Sequence, residues 1–265
     1  MKIHFVGIGG VGMSALAQLH AMSGDTVTGS DRLISKGYTD LALWTYLKNL
    51  GISLFAQDGS GIDEKTELVV LSSAIEDDNP EIKKAKQLGI QIMHRSELLA
   101  KHVATHKTVA VSGTSGKSTT TAMVYDILAF AGLSPSVITG AAILSLQKEQ
   151  GVFGNVYKGE SDILVIEADE SDGSIVKYHP YLGLCLNLRK DHKEINILQD
   201  YFHTFISHCK HAIVNGEEPN LTAISGKAKT FGLTGGDFHP TAIKADGFGS
   251  DFTIQGQEFR LHLPG

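Results

Sequence analysis

The residues with the clearest chemistry are Gly113-Thr114-Ser115-Gly116-Lys117-Ser118-Thr119, which follow the apolar run Thr108-Val109-Ala110-Val111. A glycine-rich loop at a strand end, closed by Gly-Lys-Ser, suits nucleotide phosphates. Its backbone N–H groups converge on phosphate oxygens, and the N-terminus of the next helix points its dipole at the same charge. In such a loop Lys117 reaches the β- and γ-phosphates, and the Ser118 hydroxyl takes a position on Mg²⁺. The form Gly-Thr-x-Gly-Lys-Ser is shorter and more restricted than the general phosphate-loop pattern.

Two further clusters lie downstream. In Glu167-Ala168-Asp169-Glu170-Ser171-Asp172-Gly173 the acids crowd the end of the apolar strand Ile163–Glu167. Ligands of parallel α/β sheets lie beyond the carboxyl ends of strands, and a carboxylate there can complete the oxygen shell of Mg²⁺. Glu167, the first acid, is the candidate ligand. Asn187-Leu188-Arg189-Lys190-Asp191-His192 follows another strand. Asp191-His192 could give a second metal ligand, a phosphate contact or an orienting pair.

A second glycine loop, Gly7-Ile8-Gly9-Gly10-Val11-Gly12, opens the chain after the strand Ile3–Val6. A helical pattern from Met13 to Met22 follows, then the strand Asp25–Gly29, ending at Ser30-Asp31. Strand, Gly-x-Gly-x-x-Gly, helix, strand and an acid about 20 residues on is the dinucleotide signature. Alone it fits a nicotinamide oxidoreductase with Asp31 on a ribose hydroxyl. The ATP-type loop downstream argues against a plain dehydrogenase, and the same physics binds the diphosphate of a UDP-sugar.

Alternating elements position these loops. Helices are expected near Trp44–Leu50, Glu81–Leu88, Ser96–His102, Thr119–Ala131 and Gln199–Cys209. Strands are expected at Leu68–Ser72, Ile90–Met93, Val137–Thr139, Leu182–Leu186 and Ala212–Asn215. Such alternation implies α/β architecture: an N-terminal Rossmann-like parallel sheet and a central phosphate-loop domain. The tail, with short strands at Thr230–Phe231, Thr241–Ala245, Asp251–Gln255 and Glu258–Leu263, reads as a small antiparallel addition. The expected domains are 1–104 and 105–265, divided near Ala104–Lys107.

The 265 residues carry a net charge of −6, with no polybasic footprint, so nucleic acid is not an expected partner. Cys185 and Cys209 have no paired spacing and read as reduced thiols of a cytoplasmic protein. The chain starts directly in a strand, without a signal peptide, and no apolar run of about 18 residues predicts a membrane span.

Taken in order, Gly7 to Ser14, Ser72-Ser73-Ala74-Ile75 with Asn79-Pro80-Glu81, Gly113 to Thr120, Glu167 to Asp172, and Asn187 with Asp191-His192 resemble the Mur ligases along the whole chain. The resemblance implies an ATP- and Mg²⁺-dependent ligase of peptidoglycan precursor synthesis. Such an enzyme phosphorylates the carboxylate of UDP-N-acetylmuramate, and an amine then displaces phosphate to leave an amide. It implies L-alanine as the amine, with a recycled tripeptide as the alternative; a non-catalytic nucleotide-binding module is the other reading.

By the same resemblance, Gly113, Thr114, Ser115, Gly116, Lys117, Ser118 and Thr119 bind ATP. Lys117 stabilises the charge moving with the γ-phosphoryl group, Ser118 and Glu167 ligate Mg²⁺, and His192 serves a second metal site. Gly9, Gly10, Val11 and Gly12 pack on the UDP diphosphate, with Ser30, Asp31, Ser72 and Ser73 lining that site. Ser115 stands where this branch usually has His, and Ser118 where it has Thr. The family's third, C-terminal domain is expected to be absent after Leu263-Pro264-Gly265, leaving a chain that binds nucleotide weakly and does not ligate.

Overall fold

The computed structural model describes residues 1–150, 153–190 and 193–262. The chain begins with β1 (Lys2–Val6), α1 (Val11–Met22), β2 (Thr26–Ser30), α2 (Arg32–Ser35), α3 (Ala42–Asn49), β3 (Ser53–Phe55), β4 (Leu68–Leu71), α4 (Pro80–Gln87), β5 (Gln91–His94) and α5 (Arg95–Thr105). It continues through β6 (Lys107–Ser112), α6 (Lys117–Phe130), β7 (Ser136–Ile138), α7 (Leu144–Gln150), β8 (Val156–Tyr157) and β9 (Ile163–Glu167). A 3₁₀ turn, Ser174–Lys177, precedes β10 (Leu182–Cys185), α8 (Ile195–His208), β11 (His211–Asn215), α9 (Pro219–Thr222), β12 (Lys229–Phe231), β13 (Pro240–Ala245), β14 (Ser250–Ile254) and β15 (Gln257–Leu261).

Contacts group the chain into two compact units: Met1–Thr108 with Ser118–Glu167, and Val109–Lys117 with Ala168–Gly265. The first unit holds a five-stranded parallel sheet in the order β3-β2-β1-β4-β5. Strand order reverses between β1 and β4, the switch point where such sheets bind ligands. β4 is an apolar run, and Ile3, Phe5 and Val6 of β1 are apolar, as fits strands that are almost wholly buried. Val6 and Val69 pack with Ile62 and Ala85 in one core cluster. The same unit pairs β7 parallel to β9 and antiparallel to β8, over a core of Tyr125, Val137, Ile143, Leu146 and Val165.

In the second unit β12, β11, β10 and β6 lie side by side, all parallel. The expected antiparallel addition is a three-stranded sheet, β13-β14-β15, without Thr230–Phe231, which instead extends the parallel sheet as β12. α8 starts at Ile195, ahead of the expected Gln199, because Leu198 and Phe202 already belong to its buried face. α2, β3, α7, β8 and α9 were not expected. They are short, and too few residues repeat in them for a period to show.

Helix starts follow local chemistry. Asn79 accepts a hydrogen bond from Glu81 N ahead of Pro80, a good first helical residue. His94 and Glu97 form a capping box at α5.

Between α1 and α5, His20 Nδ1 bonds Asp25 Oδ2 at 2.7 Å, and His20 Nε2 lies 3.1 Å from His102 Nε2. His20 therefore accepts at Nε2 when its Nδ1 carries the proton for Asp25, and His102 donates. Burial, then the neighbouring His20 and His106, pulls His102 down to about 4 from an ordinary 6.5. A group depressed on folding contributes stability above its unfolded value and loses it as pH falls toward the folded one. We expect unfolding free energy to fall between pH 6.5 and 4 by up to about 3 kcal/mol from this residue. His102→Gln should flatten that part of the denaturation profile; an equally steep slope in the variant would assign the acid sensitivity elsewhere.

Candidate functional site

The phosphate loop leaves β6 at Gly113, whose φ of +149° and close packing both require glycine. A Cβ there would lie 3.0 Å from Leu186 Cβ and 3.2 Å from Asn187 N. Asn187 follows β10, which runs beside β6 in the register Cys185 to Ser112. Its Oδ1 accepts from Thr114 Oγ1 at 2.8 Å, Ser115 N at 2.9 Å and Ser115 Oγ at 3.3 Å. Its Nδ2 donates to Ser115 O at 3.0 Å, and its backbone O accepts from Thr114 N at 3.2 Å. One amide thus holds both sides of Ser115. Beyond it, α6 begins at Lys117, so first-turn N–H groups of Lys117, Ser118 and Thr119 have no intrahelical acceptor.

Lys117 is folded back on its own loop. Its Nζ donates to Gly113 O at 2.8 Å and to Glu170 Oε2 at 3.1 Å, with Asp169 Oδ1 at 4.0 Å. Glu170 is buried, which raises its carboxyl above the usual range while Lys117 pulls the other way. Ser118 Oγ donates to Glu167 Oε1 and Oε2 at 3.0 and 2.9 Å. Glu167 Oε2 also accepts from Thr139 Oγ1 at 3.0 Å and Gly140 N at 2.8 Å. The chain's own donors therefore fix the carboxylate in orientation.

Among the described residues no three His, Cys, Asp or Glu side chains converge on a metal position. One carboxylate with one hydroxyl suits Mg²⁺, which keeps several waters and shares phosphate oxygens rather than entering an all-protein cage. Asp191 and His192 lie outside the described residues.

At the first glycine loop, Gly7 N and Ile8 N donate to Ser30 O at 2.8 and 3.0 Å. Gly9 N donates to Asp31 Oδ2 at 2.8 Å, and Asp31 Oδ1 caps α2 through Leu33 N at 2.9 Å. Both Asp31 oxygens thus hold backbone. A Cβ at Gly9 would sit 2.7 Å from Asp31 Oδ2 and 2.8 Å from Trp44. Gly10 precedes α1, and Val11 is exposed beside it. Arg95 Nη1 lies 3.0 Å from where a Gly12 Cβ would be. Ser72 is half-buried near Gly7, and Ser73 is exposed.

The Ser30 hydroxyl is buried and donates to Glu81, which also lies 3.3 Å from His4 Nε2. Its side chain therefore belongs to the core, and only its carbonyl serves the loop. Beside Asp31 a cleft of about 480 Å³ is lined by Arg32, Lys36, Gln57 and Asn79. Gln57 Nε2 is buried there without a hydrogen-bond partner among the described residues.

The Mur ligase family catalytic-domain profile matches residues 2–107, and the Mur ligase middle-domain profile matches 111–265. The chain belongs to the Mur ligase family. A UDP-N-acetylmuramate–L-alanine ligase of Synechococcus sp. (strain CC9605) is 38% identical over 83% of this chain and 47% of its own length. One from Paenarthrobacter aurescens is 43% identical over 72% of this chain and 39% of its own. The crystal structure of the UDP-N-acetylmuramate–alanine ligase of Thermotoga maritima superposes with a TM-score of 0.80 at 29% identity, covering 100% of this chain and 61% of that one. The chain spans about half the length of the curated relatives it matches.

Asn187 as the anchor of the loop, Glu170 as the partner of Lys117, and the cleft with Gln57 were not singled out from sequence. The sequence offered only the position of Asn187 directly after an apolar strand, with nothing to tie it to Ser115. Asn187→Ala removes every side-chain bond to Thr114 and Ser115. We expect ADP affinity, measured by calorimetry, to fall at least about tenfold, the order set by one to two lost hydrogen bonds. Wild-type affinity in a folded variant would show that the loop holds its shape without the amide.

Proposed function

We propose that this Mur ligase uses ATP and Mg²⁺ to join L-alanine to UDP-N-acetylmuramate. The observation that carries the reading is the Lys117-Ser118 pair at the start of α6, with Ser118 on Glu167 and Lys117 on Gly113 O. The names of the two curated relatives described above, both UDP-N-acetylmuramate–L-alanine ligases, support the substrates.

In this reading the γ-phosphoryl group of ATP moves to the muramate carboxylate, releasing ADP. The amine then attacks the carbonyl carbon and expels phosphate. Little covalent chemistry falls to the protein, so its residues work by positioning and by charge. The N–H groups of Gly116 to Thr119 and the α6 dipole hold phosphate oxygens. Lys117, released from Gly113 O, places its ammonium on the transferring group. Glu170 holds that ammonium close by in the meantime. Ser118 and Glu167 hold Mg²⁺, which offsets phosphate charge when bound. His192, outside the described residues, is the proposed holder of a second metal.

Residues 1–104 form the proposed UDP-sugar domain and 105–265 the proposed ATP domain. Gly9, Gly10, Val11 and Gly12 at the start of α1 face the diphosphate, while Ser30 contributes through its carbonyl and Asp31 through the loop it fixes. Ser72 and Ser73 line the same edge. The cleft with Arg32, Lys36 and Gln57 is the proposed seat of the uridine, its buried amide N–H₂ offering donors to a base carbonyl. No described helix is long and apolar enough to cross a membrane; we place the protein in the cytoplasm, beside its nucleotide substrates.

In a protein that turns over, Lys117→Ala should cut phosphate release, dependent on both UDP-N-acetylmuramate and L-alanine, by at least about a hundredfold. Near-normal turnover would refute the role of Lys117, and turnover with every amine except L-alanine would refute the acceptor. Glu167→Gln should move the Mg²⁺ concentration for half-maximal ATP binding upward at least about tenfold. An unchanged Mg²⁺ curve would mean that another acid holds the metal.

A further inference from the structure

The phosphate loop and the acids all lie at carboxyl ends of strands. At the opposite, amino ends of β10, β11 and β12, the second unit has a groove of about 580 Å³. Leu182, His211 and Lys229 begin these three strands, and all three line it. Its bed is apolar, formed by Leu182, Ile206, Ile213 and Phe238. Its rim is basic: Lys210, Lys227 and Lys229, with His203 and His211.

Among the described residues no aspartate or glutamate lines the groove, although the chain as a whole carries a net charge of −6. Concentrating cations against that balance raises the local potential for anions. All three lysines are exposed. Lys210 Nζ stands 5.0 Å over the ring of Tyr181, and Lys229 Nζ 5.5 Å over that of Phe238. Asp237 acts on Lys229 from outside the lining. The carboxyl end of α8 also points into this region and contributes roughly half a negative charge, which three whole ammonium charges outweigh.

We propose that this groove is a second ligand site, separate from the phosphate loop, which takes a small organic phosphate with a flat apolar body. The volume lies in the range of small-molecule sites, which pair an apolar bed with few polar groups. Lysine ammonium groups are compact point charges suited to a phosphate held at a rim, and Phe238 with Ile206 and Ile213 offers a surface for a ring. The proposal is independent of the ligase reading, because none of these residues belongs to that site.

Pyridoxal 5′-phosphate carries the required chemistry and reports its own position. Its aldehyde condenses with a lysine amine and releases water, and borohydride reduces the resulting imine to a stable secondary amine. Labelling of the 265-residue chain at micromolar probe, read by peptide mass mapping, should saturate at Lys210, Lys227 or Lys229. These should exceed the exposed Lys86 and Lys101 at least tenfold. The double change Lys210→Glu and Lys227→Glu, on exposed side chains, should reduce labelling of Lys229 at least tenfold and leave Lys86 and Lys101 as they were. Equal, non-saturating labelling of all exposed lysines would overturn the proposal, as would undiminished labelling of Lys229 in the folded double variant.

Discussion

A loop that binds phosphate through its backbone must hold its N–H groups open to an anion while every other group in it is tied down. The requirement is severe, because peptide N–H groups left without acceptors are costly and a free loop would turn them inward. Asn187 answers it. A side-chain amide is both donor and acceptor, so one residue can bond the N–H, the carbonyl and the hydroxyl of Ser115. An aspartate in its place would accept but not donate, and would set a negative charge under a phosphate. The neutral amide fixes the loop without opposing its ligand.

The first glycine loop solves the same problem with a different residue. There Asp31 accepts from Gly9 N and Leu33 N, so a full negative charge lies under a loop suited to a diphosphate. Two backbone donors absorb part of that charge. Arg95 beside Gly12 brings a cation to the same helix start, and Arg32 lines the adjoining cleft. Ser30 shows how the requirement spreads into the core. Its carbonyl must reach Gly7 N and Ile8 N, and its hydroxyl is held from below by Glu81, itself placed by the Asn79 cap at α4.

What the sequence made legible was the chemistry carried by neighbours in the chain. Glycine spacing, the Lys117-Ser118 pair and the position of Glu167 after an apolar strand are local patterns; the direct hydrogen bond from Ser118 to Glu167 is what the fold adds. The alternation of strands and helices was legible for the same reason. Asn187 was not, because its contacts with Ser115 span 72 residues. Glu170 is one of several acids that crowd the end of β9, and burial distinguishes it from Asp169, which is exposed. Glu81 opens the expected helix Glu81–Leu88, where an acid suits the dipole. That it is wholly buried against His4 and Ser30 depends on strand packing that no local pattern encodes.

Ser115 stands where, by the resemblance, this branch of the family usually has His. The structure locates the consequence. Ser115 is exposed, and its N–H, hydroxyl and carbonyl all engage Asn187. Two of these three bonds are made by backbone, which a histidine would supply equally. The loop's shape therefore does not rest on which side chain stands at 115, and the change from imidazole to hydroxyl acts on what faces outward. An imidazole offers a second nitrogen several ångströms further from the backbone, able to meet a phosphate or a metal-bound water. A serine hydroxyl turned onto Asn187 offers neither. The charge that such a histidine could contribute must then come from groups already at the loop, which puts more of the electrostatic task on Lys117 and on the metal proposed at Ser118 and Glu167.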